Sequence, residues 1–144
     1  MRSVWTVAAA VLLLAAAPAL AADAPLAVRI RVLKGSRQGP PGVPAGLEDL
    51  RAQLSATAYV RWEQAGELQS SMQPKRPVSV TLPNGEGVAV TLLEARQGSA
   101  TFEVSAPSSR TQSRVTVGPG KRIVQQVTPE RGGEAWFVTI RAGG

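Results

Sequence analysis

The sequence predicts a mainly β fold: an antiparallel β-sandwich or partly open barrel of about seven to eight strands with one short helix. Three observations predict it. Apolar and polar residues alternate at period two in segment after segment. Glycine and proline clusters break the chain between those segments. A single stretch has the leucine spacing of a helix, so no βαβ alternation arises.

Residues 1–21 stand apart from that pattern. Arg2 is followed by an apolar run over residues 7–17, then Pro18 and the small-residue sequence Ala19-Leu20-Ala21. A cationic start, an apolar centre and an A-x-A end are the parts of a Sec-type signal peptide. They predict cleavage after Ala21 and one β-rich domain over residues 22–144. Pro18 and the alanine content argue against a membrane anchor, so no transmembrane segment is expected after cleavage. The lipoprotein route acylates a cysteine, and the chain has none. The expected location is the periplasm or the extracellular medium.

In residues 26–33, Val28, Ile30 and Val32 fall on one strand face and Arg29 and Arg31 on the other. Residues 34–44, KGSRQGPPGVP, lose amide donors to proline and predict a surface loop carrying Lys34 and Arg37. Leu47, Leu50 and Leu54 then recur at helical spacing, with acids early and arginine later, and predict a short amphipathic helix over residues 45–54.

Ala58, Val60 and Trp62 alternate with Tyr59, Arg61 and Glu63, and Gly66 is expected to end that strand before a poorer one over residues 67–73. Residues 77–94 read as a hairpin: Val78, Val80 and Leu82 alternate before Pro83-Asn84-Gly85, and Val88, Val90 and Leu92 resume after it. Asn-Gly favours the positive φ angles of tight turns. Further alternating sets follow at Ala100, Phe102 and Val104, at Thr111 to Val117, at 123–127 and at 134–142, separated by Pro107-Ser108-Ser109, Gly118-Pro119-Gly120 and Gly132-Gly133.

Composition excludes more chemistry than it suggests. The chain has no histidine and no cysteine, which removes Ser-His-Asp and Cys-His catalysis, imidazole and thiolate metal sites, and disulfides. No cofactor motif is present; the glycine-rich segments at 35–39 and 118–122 lack the P-loop spacing. Ten carboxylates remain, mostly single, and the adjacent Glu48 and Asp49 would point about 100° apart on a helix. A hydrolase acting through two converging carboxylates is the one catalytic alternative.

Sixteen Lys and Arg stand against ten Asp and Glu, and removal of Arg2 with the signal leaves a balance of +5. The candidate anion-binding face is Arg29 and Arg31 continued by Lys34 and Arg37, with smaller clusters at Lys75-Arg76, Arg110/Arg114 and Lys121-Arg122. Trp62, Phe102 and Trp136 align with apolar sets and are expected in the core. Tyr59 and Phe137 take the opposite faces and are the candidate exposed aromatic contacts.

The leucine helix LEDLRAQL, the strand AYVRWE, the hairpin PVSVTLPNGEGVAVTLLEA, the pair SRVTVGPGKRIVQQV and the closing GGEAWFVTIRA together resemble small exported β-rich proteins of uncharacterised families common in GC-rich Gram-negative bacteria. The resemblance implies a periplasmic or envelope-associated location and brings no site residues. The functional expectation is a non-catalytic accessory or interaction module of the cell envelope, meeting an envelope protein through a sheet edge or loops. The alternative is binding of an anionic polymer, lipid head group or nucleic acid through the arginine-rich face.

Overall fold

The alternating segments become eight strands in a computed structural model, which describes residues 25–143. The expected signal peptide and cleavage site lie outside the described residues. The strands are β1 (Leu26–Ser36), β2 (Arg61–Met72), β3 (Pro77–Thr81), β4 (Gly87–Arg96), β5 (Ser99–Ala106), β6 (Thr111–Val117), β7 (Arg122–Gln126) and β8 (Glu134–Ala142). They form two antiparallel four-stranded sheets of order β2-β1-β8-β7 and β3-β4-β5-β6. The fold is a β-sandwich.

Alternation places the main core between the sheets. Val28, Ile30, Val32, Val138 and Ile140 from the first sheet meet Val90, Leu92, Phe102 and Val104 from the second, all buried. Trp136 packs against this core, as its place in the pattern predicts.

A second core lies on the other face of the first sheet. There a 3-10 turn (Ala45–Leu50) continues into a short helix, α1 (Arg51–Ser55), and together they cover the sheet. Leu47, Leu50 and Leu54 are fully buried against Leu33, Tyr59, Trp62, Ala135 and Phe137. The expected helix is therefore present in two short pieces, with a kink at Leu47 (φ −112°).

This second core corrects several sequence expectations. Tyr59 and Phe137 are not exposed contacts: they are 7% and 4% exposed, and with Trp62 they form a cluster of edge-to-face rings at 4.9–6.2 Å. Facing away from the sandwich core does not mean facing water when another layer covers the sheet. Trp62 is buried as expected, but in this outer core. β2 starts at Arg61, so the alternation supposed from Ala58 fails, and Val60 is 40% exposed.

β1 runs three residues into the supposed loop, to Ser36, because Gly35 fits beneath the aromatic cluster. A Cβ there would stand 3.0 Å from both Phe137 and Trp62. Gly66 does not end its strand. β2 passes it through a bulge, with Val32 opposite Gly66 and Leu33 opposite Gln64.

The β3–β4 hairpin forms where expected. Its Gly85 N–H donates to Leu82 O, the Leu82 N–H donates to Glu86 O, and Gly85 takes φ +91°. This is a three-residue loop whose glycine alone enters the left-handed region.

Candidate anion-binding site

The outer face of the first sheet carries rows of residues set by strand register. In one row Gln69 of β2 pairs with Arg29 of β1, Arg29 with Arg141 of β8, and Arg141 with Arg122 of β7. Three arginines thus stand side by side on three neighbouring strands. The next row is Glu67, Arg31, Thr139 and Val124. The helical layer begins over this row, where Gly46 and Asp49 meet Arg31.

Like charges directly opposite in a sheet repel unless anions intervene. Two carboxylates do so. Glu67 accepts both Arg29 Nε and Arg29 Nη2 at 2.9 Å and also receives the Gln64 and Gln69 amides at 3.3 Å. The Arg29 hydrogen bond is the main cause that pushes the Glu67 carboxyl down to about 2. Asp49, delivered by the helical layer, accepts Arg31 Nη2 at 2.6 Å and lies 2.5 Å from Arg122 Nε. The Arg122 contact is an ion pair without hydrogen-bond geometry, so that nitrogen still lacks an acceptor.

Arg141 sits between these pairs. Among the described residues no carboxylate reaches it, and its buried Nε has no hydrogen-bond acceptor. Beside it opens a cleft of about 410 Å³ lined by Arg29 and Arg141 together with Gln69, Ser70, Ser71 and Ala27. Guanidinium forks, an amide and hydroxyls around one hollow can bind an oxyanion.

The four cations expected to form one face do not do so. Arg29 lines the cleft. Arg31 is 1% exposed and is a structural ion-pair partner, because Asp49 and the Gly46 carbonyl close over it. Lys34 points to the other side of β1, where Glu63 and Glu134 hold its ammonium at 3.2 and 3.6 Å. Arg37 bonds Glu130 and lies over the Tyr59 ring, 5.1 Å from its centroid. The Tyr59 hydroxyl also donates to Glu130 at 3.0 Å. Each of the four has a carboxylate.

Arg141 went unmarked in the sequence, and Arg122 appeared only as part of a turn cluster. The signal for Arg141 was its parity with Phe137 and Thr139; what it lacked was register. Glu63 and Glu134 are the carboxylates that do converge, in a hollow of about 100 Å³ that also holds Lys34, Ser36 and Arg61. The Lys34 ammonium stands between them, so the arrangement is an ion-pair network at the rim of the sandwich. Among the described residues no three acidic side chains gather as a metal site. No protein-family model, curated protein or solved structure matches the chain.

Proposed function

We propose that this domain works outside the cytoplasm as a non-catalytic binding module that holds an anionic ligand of the cell envelope on the outer face of its first sheet. The observation that carries the reading is Arg141: a guanidinium flanked in register by Arg29 and Arg122, lacking a carboxylate among the described residues, beside a cleft of about 410 Å³. The signal-like N-terminus supports export, and the absence of histidine and cysteine supports binding over catalysis.

The test is a titration of the purified protein with an anionic sulfated polysaccharide and a neutral one over a range of salt. Binding to the anionic polymer alone is expected, weakening with salt as counterions are released. Arg141→Ala should lower affinity about tenfold and flatten the salt slope, whereas Arg114→Ala on the other sheet should change neither. Unchanged affinity in Arg141→Ala would overturn the reading.

A protein partner remains the second reading, favoured by β2. Among the described residues this twelve-residue edge strand pairs in its sheet only with β1, and on its other edge only its first residue, Arg61, is bridged, by Gly42. Its remaining edge offers backbone groups for strand addition.

A further inference from the structure

Resting on the anion-binding reading, we infer that the cleft is a seat for a terminal phosphate monoester, which displaces the Glu67 carboxylate from Arg29 and bridges Arg29 to Arg141. Charge decides the class. Among the described residues the outer face gathers Arg29, Arg31, Arg122 and Arg141 against Glu67 and Asp49, an excess of two positive charges concentrated at the cleft end of the sheet. A phosphate monoester carries about −1.5 to −2 charges at neutral pH, which matches that excess.

The occupant already in place argues in the same direction. Arg29 is engaged on both fork nitrogens by Glu67, a planar carboxylate tethered to the neighbouring strand. A tethered group has a high effective concentration. A ligand with a single carboxylate would offer Arg29 nothing that Glu67 does not already supply. A tetrahedral dianion brings a second charge and extra acceptor oxygens, which Arg141, Gln69 and Ser71 are placed around the cleft to use. Glu67 then acts as an internal competitor that excludes weaker anions. Once released by Arg29, it keeps the Gln64 and Gln69 amides.

No proton or bond is exchanged in this event. The arginines stay charged and Glu67 stays ionised, so the pH dependence of binding comes from the ligand. Among the described residues the charged groups facing the seat are Arg29 of β1, Glu67 of β2, Arg141 of β8 and Arg122 of β7, with Arg31 of β1 and Asp49 of the helical layer one row away.

The test is calorimetric titration of the full chain as purified after export with inorganic phosphate, inorganic sulfate and acetate, and flotation with vesicles containing phosphatidic acid or phosphatidylglycerol. Phosphate should bind and acetate should not. Phosphate affinity should fall as pH drops through the second pKa of inorganic phosphate, close to neutrality, where the dianion takes up a proton, while sulfate shows no such fall. Glu67→Gln should tighten phosphate binding severalfold, a change that a purely structural role for Glu67 would not produce. Arg141→Ala should weaken it about tenfold, with Arg141→Lys recovering part of the loss and confirming that the fold is intact.

Recruitment to phosphatidic acid vesicles and not to phosphatidylglycerol vesicles would assign the monoester to a lipid; saturable phosphate binding without recruitment would assign it to a soluble ligand. Weaker binding in Glu67→Gln, or acetate binding as well as phosphate, would overturn the inference. If sulfated polymer binding depends on Arg141 but phosphate does not bind, the monoester assignment fails and the anion-binding face stands. If neither ligand binds, both fall.

Discussion

Asp49 accepts from Arg31, whose side chain is 2% exposed, and also neutralises Arg122, so one carboxylate serves two guanidinium groups and ties the helical layer to β1 and β7. Removing one partner of a buried pair costs about 3–5 kcal/mol, because the other charge is left without compensation. Asp49 itself is 28% exposed, so water recovers part of that, and Asp49→Asn should cost about 1–3 kcal/mol in urea unfolding.

The same groups set the acid response. Hydrogen bonding to Arg31 holds the Asp49 carboxyl below its usual range, and Arg29 brings Glu67 to about 2. A depressed carboxyl contributes stability that is present above its unfolded pKa and is lost as pH falls through the folded one. Stability should therefore decline below about pH 4.5 and continue to fall toward pH 2. Carboxyl NMR should find Glu67 as the late titrator, and Asp49→Asn should shallow the decline.

Residue types alone made Arg29 a candidate, because its alternation with Val28 and Ile30 is visible in the chain. They could not separate it from Arg31. Two residues on the same strand face differ in exposure only because the helical layer ends between their rows.

At the scale of elements, the helical layer has the least independent means of persisting. Its 3-10 turn has no side-chain N-cap hydrogen bond, and α1 spans five residues, far below the length at which a helix holds in water alone. It stays because Leu47, Leu50 and Leu54 are fully buried and because Gln53 Nε2 donates to Arg122 O at 2.7 Å. Leu50→Ala should cost about 2–4 kcal/mol. Native-state hydrogen exchange should show amides of residues 47–57 opening before those of β1 and β8, with Leu50→Ala widening the gap.

The leucine spacing showed that the helix has one apolar face. It could not show which surface receives that face. The partner is assembled from Leu33, Trp62, Ala135 and Phe137 on three strands, and only strand pairing brings those together.

For the whole molecule, the decisive connection is β1 with β8, the first and last strands paired along nine residue positions in the middle of the first sheet. Such long-range pairing must close most of the chain before it is rewarded. Folding is expected on the millisecond to second scale by stopped-flow fluorescence, slower than helical proteins of this size. Both described tryptophans, Trp62 in the outer core and Trp136 against the main one, should report one unfolding transition, since the sheet between the two cores belongs to both. Separate transitions in Trp62→Phe and Trp136→Phe variants would show that the cores melt independently.

What the sequence by itself determined is local: that the chain is a series of short strands with one short helical stretch, where the 77–94 hairpin turns, and which chemistries the lack of histidine and cysteine removes. These follow from period, backbone preference and side-chain inventory, which need no knowledge of neighbours. The tertiary structure decided which faces are covered and which charges stand side by side. Tyr59 and Phe137 moved from surface to core, Arg31, Lys34 and Arg37 became ion-pair partners, and Arg141 came to stand between Arg29 and Arg122. The physical reason is register: a side chain's exposure and its counterions are set by residues distant in sequence, and pairing alone brings them into contact.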